Sequence, residues 1–345
     1  MFRPSSRRHS FQECVLIPTV AIRAQRQSAR SIGIRAARHG RAIIVLLALI
    51  TTAQPAAARD LTVGAGQAFS SLAAAMAQAK PFDHIRLAPG RHADCASITT
   101  DDLIIEGAGP AEAVVLDGVA CEGKAVFVVH ANRITIRDMT LTNIRVPNGN
   151  GAGIRPEGID LLVERVRFID NENGILAAPS PKSTIIVRDS LFERNGVCNP
   201  LCAHGIYVNN LTLLRVERSR FFETHIGHHI KSRAPRTEVI DCELIDGDSG
   251  TSSYQIDLPN GGALLARGNR IHKGPRSDNP KSVIILGEEG ATLPPGNILI
   301  EDNILTVDGL SDVVFVRNNT QVTASLVRNK IPSNVQPLLG PGTTR

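Results

Sequence analysis

Residues 163–168 read VERVRF, residues 187–192 VRDSLF and residues 216–221 VERSRF. In each, an aliphatic residue is followed five positions later by phenylalanine. The same frame extends both ways with other large apolar residues closing it. It is ITIRDMTL before these (Ile136, Leu141), then VIDCEL (Val239, Leu244), ARGNRI (Ala266, Ile271), IEDNIL (Ile300, Leu305) and LVRNKI (Leu326, Ile331) after them. Successive starts lie 27, 24, 29, 23, 27, 34 and 26 residues apart. A constant short signature at a ragged period suits stacked coils whose turns differ in length. The segments are strand-like and broken by Gly and Asn, with almost no helical periodicity, which favours a β-solenoid over leucine-rich or ankyrin arrays. The residue three after the start is asparagine in the last three coils: Asn269, Asn303 and Asn329. Coils stacked at about 4.8 Å would let those side chains bond to one another and to the backbone.

Outward from this array, residues 1–58 read as a leader and 59–345 as the solenoid domain. The leader is Arg-rich and acid-poor to Arg41, then runs through AIIVLLALI (Ala42–Ile50) to a small-residue pattern ending at Ala58. That is the order of an export signal. The apolar run is shorter than the roughly 20 residues a membrane span needs. The expectation is a periplasmic or secreted protein with no membrane span in its mature chain. The leader holds nine Lys and Arg against one acidic residue, which turns the net charge of +5 into about −3 for the remainder. The chain has no Trp and two Tyr. Neither a basic stripe nor stacking aromatics argue for nucleic acid. Export permits disulfides: Cys198 and Cys202 flank a small loop, Cys95 and Cys121 sit about one coil apart, and Cys242 is left as a buried thiol.

QAFSSLAAAMAQAKPFDHIRLAPGRH, from Gln67, reads as an amphipathic helix over about Ser70–Lys80, then a strand and a Pro-Gly turn. Such a helix would cap the open apolar end of a solenoid. LIIEGAGPAEAVVLDG (Leu103–Gly118) supplies the first coil. With the N-terminal helix and strand, the EGAGP…VVLDG segment and the Asn- and Gly-punctuated coils, the chain resembles the right-handed parallel β-helix proteins of the pectate lyase superfamily over roughly residues 60–335. The resemblance implies an all-β, single-stranded right-handed parallel β-helix with a short N-terminal capping helix, monomeric. That superfamily contains lyases, hydrolases, epimerases, esterases and non-enzymatic adhesins, so the fold does not choose among them.

Strand alternation then sorts side chains by face. Aligning GAGIRPE, ENGILAA, AHGIYVN, GHHIKSR and SYQIDLP places Ile154, Ile175, Ile206, Ile230 and Ile256 in one inward ladder. The residues just after them face outward: Arg155, Leu176, Tyr207, Lys231 and Asp257. Strict alternation places Gly153, Gly174, Gly205, His229 and Gln255 on that outward side as well, with Asn209 and Arg233 two positions further along. Polar chemistry concentrates in three adjacent coils. The small residues of the coils before them leave an open floor for an elongated ligand. His204, His228 and Tyr254 fall at strand entry with the opposite parity.

Tyr, His, Lys, Arg, Asn and Gln in mutual reach suit proton transfer at C5 of a uronic acid sugar, by β-elimination or epimerisation. In that assignment Lys231 or His229 is the base, Arg233 binds the carboxylate and Tyr207 donates a proton, with Asp257 beside them. Asn209, Gln255, His228, Tyr254, Arg155 and Asn260 would contact an acidic polysaccharide or oligosaccharide. β-Helix lyases and C5-epimerases resemble this in using Lys, Arg or His on an outward sheet. An alternative is an inverting glycoside hydrolase using Asp257 with Asp246 and Asp248. Another is a non-catalytic glycan-binding solenoid, which the shortage of aromatics disfavours. No metal site is read from His225, His228 and His229, since neighbours in a strand point apart and no HExxH pattern is present. No cofactor is firmly implied, although Asp246 and Asp248 in DGDSG offer oxygen ligands for Ca²⁺.

Overall fold

A computed structural model describes residues 58–198 and 202–345. The leader expected over residues 1–58 lies, except for Ala58, outside the described residues. The described residues form 29 short strands and a single helix, and every pairing between those strands is parallel. They assemble into two sheets wound as a parallel β-solenoid of about ten coils, the smaller sheet contributing ten strands in simple succession. No helix among the described residues is long and apolar enough to cross a membrane.

The repeat in the sequence is the corner of the larger sheet. Val163, Val187 and Val216 stack in register, as do Phe168, Phe192 and Phe221. All are buried, and the phenyl rings lie face to face with centroids 4.5 Å apart. That is the inter-strand spacing within a few tenths of an ångström. Between the aliphatic start and the closing Phe, the chain turns through a residue in the left-handed region. The position is held by Asp138, Arg165, Asp189, Arg218, Asp241, Gly268, Asp302 and Arg328, with φ between 46° and 69°. Aspartate tolerates this conformation, whereas arginine there is unusual. Each such arginine forks onto the aspartate of the neighbouring coil. Arg165 donates to Asp138 at 2.6 and 2.8 Å, Arg218 to Asp189 at 2.9 and 3.0 Å, and Arg328 to Asp302 at 2.7 and 2.6 Å.

One residue further, the chain points inward again, and here the asparagine ladder forms as expected. Asn269 Nδ2 donates to Asn303 Oδ1 at 2.9 Å and Asn303 Nδ2 to Asn329 Oδ1 at 2.8 Å. Their other hydrogens go to backbone carbonyls of the preceding coil. Cys242 occupies the same position one coil earlier; burial pushes its thiol up to about 12. The other pairs, Cys95–Cys121 and Cys198–Cys202, are disulfides.

The helix is shorter than the sequence suggests, Leu72–Met76 rather than 70–80. Ser71 caps it by accepting from the Ala74 N–H. Its C-terminal end is drawn into a turn because the Asp83 carboxylate accepts the Lys80 N–H, and Pro81 disfavours helical backbone before it. Leu72 and Ala75 pack into the core.

Candidate active site

The inward ladder of the smaller sheet is as the alignment places it: Ile154, Ile175, Ile206, Ile230 and Ile256 pair in register and are fully buried. The next column faces out. Tyr207 of strand Ile206–Val208 pairs with Lys231 of strand Ile230–Ser232, and Lys231 pairs with Asp257 of strand Ile256–Leu258. Lys231 Nζ lies 3.6 Å from Asp257 Oδ2 and 5.6 Å from the centre of the Tyr207 ring. Arg233, two residues on, donates from Nε to Tyr207 Oη at 3.0 Å and from Nη1 to Asn260 Oδ1 at 2.5 Å. Since Tyr207 Oη accepts from arginine, its own hydrogen is free to donate elsewhere. These groups border a cavity of about 400 Å³, whose lining includes His204, Tyr207, His228, Lys231 and Arg233.

One member was not anticipated. Glu289 follows strand Ser282–Leu286 and reaches back 56 residues to Arg233. It accepts from Lys231 Nζ at 2.8 Å with one oxygen and from Arg233 Nη2 at 2.6 Å with the other. It stands in an irregular segment without periodic anchors, so alternation gives it no position.

His204, His228 and Tyr254 do stack at strand entry, with ring centroids 4.7 and 5.0 Å apart. Their tautomers follow from the backbone. The His228 N–H donates to His204 Nδ1 at 3.0 Å and the Tyr254 N–H to His228 Nδ1 at 3.2 Å, so both imidazoles carry their hydrogen on Nε2. His228 Nε2 is thereby aimed at Asp257 Oδ2, 3.3 Å away. Burial keeps both rings neutral, His204 pushed down to about 3 and His228 well below the usual histidine range. A neutral His228 with its hydrogen on Nε2 faces Asp257 with a polarised N–H and is not a base.

Asp257 is the site's near-neutral group. Burial pushes its carboxyl up to about 7, and the Lys231 charge opposes this without overcoming it. Its Oδ1 is buried without a partner in the structure. A carboxyl raised on folding stabilises the fold fully below its ordinary value near 3.8, and that stability is lost as pH rises through about 7. Asp257→Asn is therefore expected to melt with the wild type at pH 4 and a few degrees above it at pH 8, by thermal unfolding across that range. A variant less stable than the wild type at pH 8 would mean that Lys231 holds Asp257 ionised.

His229 and Gln255 are not on this face, and the reason is local. Both His229 and the following Ile230 point inward at the corner, so strict alternation fails by one residue. The three glycines of that column concealed the bend: a Cβ on Gly153, Gly174 or Gly205 would meet the ring of Phe168, Phe192 or Phe221 at 2.6 to 3.1 Å. Once the phenylalanine gives way to Leu244, a side chain fits. His229 and Gln255 fill the space, both fully buried. There they serve Asp246, which accepts from His229 Nε2 at 3.1 Å, Ser252 Oγ at 2.5 Å, Gln255 Nε2 at 2.9 Å and the Gly274 N–H at 3.0 Å. Burial alone would raise the Asp246 carboxyl, but the bond and charge of His229, with Lys273 nearby, hold it below the usual range. Lys273 is buried too, donates to the Ser253 carbonyl, and is pushed down by burial to about 8.

The remaining expectations separate as follows. Asn260 joins the site through Arg233. Asn209 bonds the Ala177 carbonyl at 2.8 Å and holds a turn. Tyr254 packs on His228 and accepts from Asn279 at 2.7 Å. Arg155 belongs to another group, with Glu157 at 3.5 Å. The open floor is closed: Leu176 is 5 % exposed and Val128 fully buried, packed with Ala125, Ala152, Cys121 and Tyr207. The Ca²⁺ pair does not fit. Asp246 is committed to four donors inside the solenoid while Asp248 is exposed on the turn. The same separation removes Asp246 and Asp248 as carboxylate partners of Asp257 for hydrolysis. Glu122, His130 and Glu157 do bring three ligand atoms within 4.8 Å of one another. They are already bridged by Lys124 and by His130 itself.

No protein-family model and no curated protein matches the chain. Solved structures do resemble it. A pectate lyase, Pel9A, is 15% identical with a TM-score of 0.48, over 81% of this chain and 78% of that one. An alginate lyase from Paenibacillus sp. is 14% identical with a TM-score of 0.46, over 82% and 99%. The A-module of the Azotobacter vinelandii mannuronan C-5 epimerase AlgE4 is 15% identical with a TM-score of 0.36, over 76% and 91%. The fold that they share with this chain is the parallel β-solenoid already described. At these identities nothing about reaction or substrate passes from those enzymes to this one.

Proposed function

We propose that this protein removes the C5 proton of a uronate in an acidic glycan, as an eliminating lyase or an epimerase. The observation that carries the reading is the grip of Lys231 and Arg233 on a carboxylate, with one oxygen on each cation, beside a cavity. A uronate carboxylate has the same shape and charge, and neutralising it acidifies the adjacent C5–H. Arg233 is positioned for this by Tyr207 and Asn260.

Lys231 faces the cavity and Asp257 sits behind it. In the reaction Arg233 keeps the carboxylate, while Lys231 gives a proton to solvent and presents a free amine to C5. The amine then takes the C5 proton. In elimination, the electron pair left at C5 forms the C4=C5 double bond, the C4–O4 bond breaks, and the Tyr207 hydroxyl supplies the proton that O4 needs. In epimerisation, the same hydroxyl returns a proton to the opposite face of C5. His229, the other expected base, lies inside the solenoid and takes no part. The two disulfides suit an exported protein.

The test is incubation with a panel of uronate-containing polysaccharides, including pectate and alginate. Elimination raises ultraviolet absorbance as unsaturated uronate forms, and epimerisation in heavy water exchanges the C5 proton without it. Reducing ends released with neither signal would mean hydrolysis and overturn the reading. Binding of a panel glycan with none of these changes would favour a non-catalytic binder.

A further inference from the structure

We infer that Glu289 is a built-in competitor for the carboxylate site: its side chain holds Lys231 and Arg233 until a ligand carboxylate displaces it. The inference rests on the proposed function for the identity of that ligand.

Both oxygens of Glu289 are used, at 2.8 and 2.6 Å, so the two cations are fully engaged by one internal carboxylate. Lys231 and Arg233 have side chains 13% and 23% exposed, whereas that of Glu289 is 46% exposed. The cations are therefore built into the wall and the anion lies over them from the solvent side. Burial of Glu289 is outweighed by those two cations, which hold its carboxyl below the usual range, so it stays charged and in place near neutral pH.

The backbone beneath this side chain is fixed. The Glu289 N–H donates to the Pro259 carbonyl at 2.9 Å and the Leu293 N–H to the Asn260 carbonyl at 3.1 Å. Gly287 and Gly290, both in the left-handed region at φ 77° and 93°, close the turn around it, and the Gly290 N–H donates to the Gly287 carbonyl at 3.1 Å. Displacement thus needs only rotation of the Glu289 side chain into solvent, not a moving loop. Nothing else in the site needs rearrangement, because Arg233 keeps its bonds to Tyr207 and Asn260. The device selects ligands. A neutral sugar brings nothing to exchange for Glu289, whereas a sugar acid replaces each of the two charge-assisted bonds it breaks.

The experiment titrates glucuronate and galacturonate, with glucose as the neutral control, into the full protein and into Glu289→Gln by calorimetry. If Glu289 holds the site in nine of ten molecules, removing its charge tightens uronate binding about tenfold and leaves glucose unaffected. Glu289→Asp, one methylene shorter, should fall between the two. Combining Glu289→Gln with Arg233→Ala should remove the gain. Uronate binding by Glu289→Gln no tighter than by wild type, or an equal gain for glucose, would overturn the inference. Loss of turnover on a polysaccharide that wild type attacks would do the same, since Glu289 would then be part of the chemistry. If the uronate gain appears while no C5 exchange or elimination is found on any glycan, the competitor stands and the proposed reaction falls.

Discussion

Lys231→Arg is expected to bind an acidic glycan nearly as well as wild type and to turn it over about 10²–10⁴-fold more slowly. Arginine keeps a positive charge beside Glu289 and Asp257, so the carboxylate grip survives. Its guanidinium does not lose a proton in proteins, so it presents no amine to C5. Lys231→Ala should lose both properties, because the one side chain removed is the cation beside both Glu289 Oε1 and Asp257. Arg233→Ala has the opposite signature: KM rises strongly while the base remains. Steady-state kinetics on whichever glycan gives the elimination or exchange signal separates these outcomes. Turnover by Lys231→Arg within tenfold of wild type would remove Lys231 as the base and leave it as a second carboxylate contact.

The largest loss of stability is expected from Asp246→Ala, in a residue that no ligand touches. Truncation leaves the Gly274 N–H, the Gln255 amide, the Ser252 hydroxyl and the His229 imidazole without their shared acceptor, and Lys273 without its nearest countercharge. Breaking a buried, hydrogen-bonded charge pair from one side costs about 3–5 kcal/mol. Asp246→Asn keeps the volume and part of the acceptor capacity and should cost less. Calorimetric melting of the three proteins decides the point. Solenoid coils melt through nearest-neighbour contacts, so the loss should be read as a change in the main transition of the array. A cost below about 1 kcal/mol for the alanine variant would mean that the interior polar group is hydrated rather than closed.

That group also marks where sequence reasoning stopped. The coil stack, the inward isoleucine column and the vertical order Tyr207, Lys231, Asp257 were legible because they depend on backbone periodicity, which hydrophobic spacing reports directly. His229 was misplaced because orientation at a corner is set by what lies opposite. Gly153, Gly174 and Gly205 carry no side chain that could have revealed an inward turn. The relevant signal was covariation along the chain: glycine stands in the column wherever phenylalanine closes the coil, and His229 and Gln255 follow when leucine or isoleucine replaces it. Glu289 left no comparable trace. It joins the site from an aperiodic segment, through charge rather than through packing.

The left-handed corners impose a rule on the chain's own history. From Asp138 to Asp241 aspartate and arginine alternate from coil to coil at that position, Gly268 ending the pattern, and each arginine is forked onto the aspartate one coil away. Duplicating or losing a single coil in the Asp138–Asp241 stretch would set like charges side by side at the new junction. Gain or loss of two coils together would preserve the alternation. Within that stretch, coils should therefore be added or removed in pairs.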